Sequence, residues 1–220
     1  YFCVDEKHVL KLDDAISFEE AASFPLVFLT AWQMLVTKAK LKKGETVLIM
    51  GASSGVGSAA IQISKLQGAH VIATAGSAEK LSFAKDLGAD EVIHHYDESI
   101  SGQVKKFTDK KGVDVIFEHV GAKVWDECLR SLAWGGRLVT CGATSGPKIS
   151  MDLRHLFIKQ QQILGSTMGN KDDLIHVHEA MTQKKLRAVI AKSFHFTEVM
   201  EAHQYLESSQ NLGKVVLNWA

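Results

Sequence analysis

The sequence predicts an α/β fold, a doubly wound parallel sheet of six strands, and two observations support that prediction. The first is an apolar run at 46–50 that ends in the glycine-containing loop GASSGVG (51–57) and continues into a helical pattern. The second is a regular alternation of apolar, strand-length runs with helical segments up to residue 168. Because parallel strands need helical crossovers, this alternation predicts the strand order 3-2-1-4-5-6, with a ligand across the carboxyl ends of the strands.

The other elements follow from local patterns in chain order. The N-terminal part predicts a strand at 1–4, a turn at Asp13–Asp14, a short helix that starts with a Ser17–Glu20 capping box, and an apolar helix entry at 24–32. The predicted strands are 46–50, 70–75, 91–95, 113–120, 137–141 and 162–168, and the helices between them start at 56 or cover 79–87, 100–108, 125–133 and 153–160. A helix (173–184), a strand (189–196), a helix (198–207) and a strand (214–219) complete the chain.

The composition is that of a globular chain with one large domain, or one domain and part of another. Its 220 residues include 25 basic and 25 acidic side chains, so no basic surface favours nucleic acid. No apolar run approaches membrane-span length and no secretory pattern opens the chain, so a membrane is not an expected partner either. Cys3, Cys128 and Cys141 form no C-x-x-C pair, which favours a reducing, cytoplasmic location, and we expect Cys128 and Cys141 to pack in the core.

The loop at 51–57 has the features of a pyrophosphate site. Backbone N–H groups at a helix start bind phosphate, with the positive end of the helix dipole behind them, and glycine lets the backbone approach it closely. The spacing here is G-x-x-x-G-x-G, from Gly51, Gly55 and Gly57, rather than G-x-G-x-x-G. A tight turn that binds nothing is the alternative interpretation.

The end of the second strand, ATAGS (73–77), favours NADP over NAD. An NAD site usually has Asp or Glu here for the ribose 2′-hydroxyl, and no acid follows until Glu79. Ala75 leaves room for a 2′-phosphate, Ser77 can donate to it and Lys80 can pair with its charge. Alternatively, Ser77 is a helix N-cap and Lys80 a solvated helix residue.

Several segments together resemble the medium-chain dehydrogenase/reductase superfamily, in particular its zinc-type alcohol dehydrogenases and quinone oxidoreductases. The resemblance covers nearly the whole chain and implies a Rossmann-type six-stranded sheet with N- and C-terminal remnants of a GroES-like catalytic domain. The segments are FPL through Trp32 (24–32), GASSGVG, ATAGSAEK (73–80), LGADEVI (87–93), SLAWGGRLVTCGATSG (131–146), FIKQQQILGSTMG (157–169) and LGKVVL (212–217).

The resemblance also implies how the chain is divided. Residues 1–22 would be a remnant of the catalytic domain and a linker, and residues 23–170 the NADP-binding Rossmann domain. Residues 171–220 would be a helix–strand return towards the catalytic domain. Because the chain begins at Tyr1 without a methionine, we expect a fragment or a domain cut from a longer protein.

The resemblance implies cofactor contacts at the ends of most strands. The tyrosine that often lies on the 2′-phosphate side aligns with His95 or Tyr96, and Tyr96 is preferred. Lys214 would substitute for a basic residue often found just before the terminal G-K. The implied contacts are Thr30 beside the nicotinamide, Ser53, Ser54, Gly55, Val56 and Gly57 at the pyrophosphate, Val120, Gly121, Gly142 and Ala143 at the nicotinamide ribose, Ser166 near the carboxamide, and Tyr96 with Ser77 and Lys80 at the 2′-phosphate.

Zinc is possible in a full-length parent protein, but not from residues of this chain. Two or more of the family's catalytic ligands would lie in the absent domain, and Leu26 occupies the position of a third. His94 and His95 are adjacent on a strand and point to opposite faces, and His176 and His178 do not face each other on a helix. We therefore expect structural or surface roles for these histidines, and no catalytic acid or base is identified.

These patterns predict the nucleotide-binding portion of an NADP(H)-dependent oxidoreductase that transfers hydride between nicotinamide and an alcohol/carbonyl pair. The alternatives are a zinc-independent NADPH quinone or enone reductase and a non-enzymatic nucleotide-binding module with a structural or sensory role. A short-chain dehydrogenase is excluded because no tyrosine is followed four residues later by lysine. The chain alone should bind cofactor with little or no turnover of its small-molecule substrate. The family implies a homodimer through the edge strand Gln162–Met168.

Overall fold

The computed structural model of the protein describes residues 3–219. Six strands form one parallel sheet: β1 (Thr46–Ile49), β2 (His70–Ala75), β3 (Glu91–His94), β4 (Val113–Glu118), β5 (Leu132–Thr140) and β6 (Gln162–Gly165). Their order is β3-β2-β1-β4-β5-β6, which confirms the predicted Rossmann-type, doubly wound sheet.

Helices connect the strands and cover both faces of the sheet. Before the sheet lie α1 (Phe18–Ser23) and α2 (Pro25–Trp32), and α2 continues into a π-helical segment, Gln33–Lys38. The crossover helices are α3 (Gly55–Leu66), α4 (Ala78–Asp86), α5 (Ile100–Phe107), α6 (Trp125–Ser131) and α7 (Leu153–Ile158). After β6 come α8 (Lys171–Thr182), β7 (Ile190–His195), α9 (Val199–Glu207) and β8 (Lys214–Asn218), and β7 and β8 form a separate two-stranded parallel sheet.

The central strand β1 is buried on both faces. Val47 and Ile49 belong to one apolar core cluster, whereas Leu48 and Met50 belong to a second cluster. Successive side chains of a strand point to opposite faces of its sheet, so a strand covered by helices on both sides requires a continuous apolar run. The packing therefore fixes the carboxyl end of β1 at the middle of the sheet edge.

The N-terminal segment differs from the predicted strand. Tyr1 and Phe2 lie outside the described residues, and Cys3 and Val4 are exposed and not in a strand. A 3-10 helix, Glu6–His8, follows them. A short apolar run forms a strand only where a neighbouring strand pairs with its backbone, and this run has no such neighbour among residues 3–219.

Several predicted boundaries are confirmed and others move. The capping box of Ser17 and Glu20 at the start of α1 is present. β6 ends at Gly165 rather than at Met168, because Met168 adopts a left-handed φ of 48° that a strand does not accommodate. β5 begins at Leu132 rather than Arg137.

No helix in the described range is long and apolar enough to cross a membrane.

Candidate cofactor site

The carboxyl end of β1 leads into a tight turn that requires glycine. Gly51 has a φ of +65°, and a Cβ there would lie 3.1 Å from the His119 ring atoms Cε1 and Nε2. A Cβ on Gly57 would overlap the carbonyl oxygen of Gly51. The first turn of α3 therefore packs directly on the end of β1, which a larger residue at either position would prevent.

The start of α3 offers backbone donors to a ligand. Ser54 caps the helix, since its Oγ accepts from the Gly57 N–H at 2.9 Å and donates to the Gly51 carbonyl at 2.9 Å. Within the described part of the chain, the N–H groups of Gly55 and Val56 have no hydrogen-bond acceptor. Unpaired N–H groups at a helix N-terminus bind phosphate, so this cradle fits a pyrophosphate. The Ser54 hydroxyl itself is committed to the loop.

A histidine that the sequence analysis missed packs against this turn. His119, the residue after β4, has its Nε2 2.9 Å from the Met50 carbonyl oxygen and 3.5 Å from Ser54 Oγ. Burial lowers the pKa of His119, so its imidazole is neutral near pH 7. Because a carbonyl only accepts, Nε2 carries the proton and donates to Met50. The feature of the sequence that could have identified His119 is a polar ring at the end of an apolar, strand-length run.

Glu118, the last residue of β4, orders the backbone that follows it. Its fully buried side chain accepts at Oε1 from the N–H groups of Val120 (2.5 Å) and Gly121 (2.6 Å). Its Oε2 accepts from Thr140 Oγ1 at 2.8 Å, which ties the end of β4 to the end of β5. The N–H groups of two predicted ribose contacts, Val120 and Gly121, are therefore already bonded to Glu118.

The predicted residues after β4 and β5 lie together. Gly121 has a φ of +91°, and a Cβ there would lie 3.0 Å from the Ala143 Cα. A Cβ on Gly142 would lie 2.9 Å from the His119 carbonyl oxygen. Beside them, the N–H of Ser166 donates to a β5 carbonyl at 2.9 Å, and its buried Oγ has no partner among the described residues. A buried hydroxyl normally has a hydrogen-bond partner, so Ser166 is suited to the carboxamide contact predicted for it.

The ends of β2 and β3 meet around Gly76. A Cβ on Gly76 would overlap the ring of Tyr96 and lie 3.1 Å from His95 Nε2. The two rings are in edge-to-face contact, with 4.5 Å between their centroids. Tyr96 is 79% exposed, so a ligand can reach it. Both candidates for the aligned aromatic position thus border the predicted 2′-phosphate site.

Ser77 and Lys80 begin α4 beside Gly76. Ser77 is the N-cap, since its Oγ accepts from the Lys80 N–H at 3.3 Å. The Lys80 ammonium donates to the Ser209 carbonyl oxygen at 2.5 Å. The capping role is therefore present, whereas Lys80 is bonded to the segment before β8 and is not simply solvated.

The segment before β8 also contacts the glycine loop. The Gly213 N–H donates to the Ser53 carbonyl oxygen at 2.9 Å. The aliphatic side chain of Lys214 lies along Gly55, where a Cβ would be 2.7 Å from Lys214 Cδ. This contact brings a cation to the loop predicted to bind pyrophosphate.

Thr30 lies on α2, the helix that packs against α3. Its Oγ1 donates to the Leu26 carbonyl oxygen at 2.7 Å within α2. Its contact with the nicotinamide stays a prediction. Leu26, at the position implied for a zinc ligand, has an apolar side chain that is 52% exposed.

The remaining histidines and cysteines form no second site. His176 stacks on Trp32 at 5.8 Å, and His178 accepts a backbone N–H at 3.3 Å. Burial raises the pKa of Cys128, and it raises that of Cys141 to about 11, so both thiols stay protonated at neutral pH. Among residues 3–219, no group of three or more His, Cys, Asp or Glu side chains is arranged to hold a metal ion.

The strand order, the glycine turn and the unpaired N–H groups of α3 define a dinucleotide-binding domain. A family model described as zinc-binding dehydrogenase matches residues 55–183. The chain is 30% identical to the quinone oxidoreductase of Homo sapiens over 99% of its own length and 68% of that protein. It therefore belongs to the medium-chain dehydrogenase/reductase superfamily of oxidoreductases, and it corresponds to the cofactor-binding part.

Solved structures agree with this assignment. A structure described as an NAD-dependent alcohol dehydrogenase is 41% identical with a TM-score of 0.94, and the match covers 99% of this chain and 63% of that one. A 2-octenoyl-CoA carboxylase reductase in complex with NADP and 2-octenoyl-CoA is 31% identical with a TM-score of 0.83, over 92% of this chain and 50% of that one. The chain thus spans about half to two thirds of the length of the relatives that it matches.

Proposed function

We propose that the chain is the nucleotide-binding portion of an NADP(H)-dependent oxidoreductase that transfers hydride between nicotinamide and an alcohol/carbonyl pair. The cradle at the start of α3 supports this proposal most directly, because Gly57 packs on the Gly51 carbonyl and leaves the N–H groups of Gly55 and Val56 without acceptors among the described residues. The nicotinamide supplies the hydride chemistry when it is bound. The residues of this chain bind and orient it.

Each part of the cofactor has a proposed set of contacts. The pyrophosphate lies on the loop, where Lys214 adds a positive charge. Ser166 offers its buried hydroxyl to the carboxamide, and Thr30 lies on the nicotinamide side. The proposed contacts are Ser53, Ser54, Gly55, Val56, Gly57 and Lys214 for the pyrophosphate, Val120, Gly121, Gly142 and Ala143 for the nicotinamide ribose, Thr30 and Ser166 for the nicotinamide, and Ser77, Lys80 and Tyr96 for the 2′-phosphate.

The preference for NADP(H) rests on the end of β2. No carboxylate is present there to accept from a ribose 2′-hydroxyl, and Lys80 begins the next helix. The NADP complex of the 2-octenoyl-CoA relative supports this choice, whereas the 41% identical structure is described as NAD-dependent. The cofactor therefore needs a direct measurement.

Calorimetric titration of this chain with NADPH and NADH tests the proposal. We expect tighter binding of NADPH, and we expect Lys80→Ala to weaken NADPH about tenfold while changing NADH little. Lys85→Ala is the matched control, because it removes a cation from the same helix without approaching Gly76. Equal affinities for the two cofactors would overturn the 2′-phosphate assignment, and no binding of either would overturn the cofactor site.

One observation favours a second candidate, a zinc-independent NADPH quinone or enone reductase. Leu26, where the resemblance implies a zinc ligand, cannot coordinate a metal. The match to human quinone oxidoreductase over 99% of the chain is consistent with this branch. Metal analysis of the full-length protein separates the two, since activity that survives chelation favours the quinone or enone branch.

We also propose a homodimer through the β6 edge of the sheet. The nearby helix α7 exposes Leu153, Phe157 and Ile158, and the start of β5 exposes Trp134 by 68%. Such an apolar surface next to an open strand edge is suited to covering by a second copy. Residues 1–22 would be a remnant of a catalytic domain and a linker, and residues 171–220 a helix–strand return towards that domain. The three free cysteines are compatible with a cytoplasmic location.

A further inference from the structure

His95 lies at the end of β3, where a 2′-phosphate would be bound. Its backbone N–H donates to the Ala75 carbonyl oxygen at 3.1 Å, which holds the residue beside the last turn of β2. Its Nε2 would be 3.1 Å from a Cβ on Gly76, so the ring borders the space that glycine leaves open. The backbone of His95 is therefore held beside the site before any ligand binds.

The surroundings of His95 favour a neutral ring in the free protein. Burial lowers the pKa of His95, and the nearby charges of His94 on β3 and Lys80 on α4 lower it further. His94 faces a carboxylate of its own, since its Nδ1 lies 2.9 Å from Asp97. The Tyr96 ring packs edge to face against the imidazole and borders the same space beside Gly76. No carboxylate among the described residues forms an ion pair with His95, so an anion from outside would be the first.

Resting on the proposed binding of NADP(H), we propose that His95 is a pH-dependent specificity determinant for the ribose 2′-phosphate. When a dianionic phosphate lies beside Ser77 and Lys80, the imidazole takes up a proton from solvent and pairs with it. The unphosphorylated ribose of NAD(H) provides no such charge. The preference for the phosphorylated ribose should therefore increase as the pH falls from about 8.5 to about 6.5.

The adenosine halves of the two cofactors test this without any turnover. The probes are 2′,5′-ADP and 5′-AMP, titrated calorimetrically into this chain at about pH 8.5, 7.5 and 6.5. We expect the affinity ratio of the two probes to rise about threefold across this range, because the full tenfold gain of a one-unit pKa increase is reached only at pH values below both pKa values. His95→Gln should lack this rise, whereas His203→Gln, which changes an exposed histidine on α9, should behave as the unchanged chain does.

The probe's own phosphate also titrates, with a pKa near 6, but it does so equally in all three proteins. Proton NMR of the His95 ring gives an independent readout. Its midpoint should rise by about one pH unit on binding 2′,5′-ADP and should not move on binding 5′-AMP.

The outcomes separate this inference from the function on which it rests. One outcome is that 2′,5′-ADP binds more tightly than 5′-AMP, but that the ratio of the two affinities does not change with pH or changes equally in His95→Gln. The inference then fails and the NADP(H) assignment stands. If 2′,5′-ADP has no advantage at any of the three pH values, both fail.

Discussion

The His119 imidazole and the Met50 carbonyl join the carboxyl ends of β4 and β1 at the centre of the sheet, with 2.9 Å between Nε2 and the oxygen. On the other side of β1, the Gly51 N–H donates to Thr74 Oγ1 at 3.2 Å. Both neighbours of β1 therefore hold the turn that precedes α3. A loop fixed from two sides loses little conformational freedom when it binds a phosphate.

His119 should make the stability of the protein depend on pH. Burial lowers its folded pKa below the ordinary value of 6.5, so below that pH the unfolded chain binds the proton first. The contribution is present above about pH 6.5 and is lost as the pH falls below that value towards the lower folded pKa. Urea unfolding across this range should show the decline, and His119→Gln should make it shallower.

The decline should not disappear in that variant. Burial also lowers the pKa of His95, which adds a slope of the same sign. His203→Gln, an exposed substitution, should leave the slope unchanged. A slope that is identical in His119→Gln and in the unchanged chain would show that the ring is protonated without cost.

Replacement of Gly57 by alanine should abolish the cofactor cradle. The added Cβ overlaps the Gly51 carbonyl oxygen, so the start of α3 must move away from β1. We expect NADPH affinity to fall by at least about tenfold, together with a stability loss of about 1–3 kcal/mol.

Gly135→Ala is the matched control for that loss of stability. Gly135 has a φ of +68°, and a Cβ there meets nothing within 4 Å, so the change costs backbone strain of about 1–2 kcal/mol away from the site. Its NADPH affinity, measured by the same titration, should stay unchanged. Equal loss of affinity in both variants would attribute the Gly57 effect to general destabilisation.

Glu118 should be a strong stability determinant because three donors depend on it. Glu118→Ala leaves the N–H groups of Val120 and Gly121 and the Thr140 hydroxyl without their buried acceptor, at a cost of at least about 3 kcal/mol in unfolding free energy. Glu118→Gln keeps one oxygen for the two N–H groups, so we expect a cost of about 1 kcal/mol. Chemical denaturation of both variants measures the difference. Similar costs would mean that packing, not hydrogen bonding, dominates.

The proposed dimer can be tested at the α7 surface. Light scattering at micromolar concentration should give about twice the chain mass of 24.1 kDa. Phe157 is 66% exposed on α7, and Phe157→Glu should shift the chain to monomer by placing a charge in the interface. Phe18→Glu, which changes a still more exposed phenylalanine on α1, should leave the mass unchanged. A monomeric mass for the unchanged chain would overturn the proposal.

The strand order was predictable because β1 is a continuous apolar run followed by glycines, a combination that few other arrangements need. The glycine loop was predictable for the same reason, since Gly57 has no space for a Cβ. The residues at which the strands end were less predictable from the sequence. The left-handed φ of Met168, which ends β6 early, depends on tertiary contacts that a local apolar pattern does not contain.

The polar contacts of the site could not be predicted from local sequence patterns. His119 is linked to Met50, and Lys80 to Ser209, by contacts between residues far apart in the chain. One sequence cannot report such pairs, because nothing in the local pattern of either residue changes when they meet. Ser54 was predicted at the pyrophosphate, and that contact stays a prediction; its hydroxyl caps its own helix, which is the usual role of serine at that position.

The hydrogen bond between Gly213 and Ser53 has a consequence for how the protein is made. The ribosome makes residue 213 only after strands β2 to β7, so the Ser53 carbonyl is paired only after all of these strands have been made. A cofactor that bound during synthesis would contact a loop that still lacks the hydrogen bond from Gly213 to Ser53. A chain that stopped before residue 213 would therefore have a damaged nucleotide site, although the whole glycine loop had already been made.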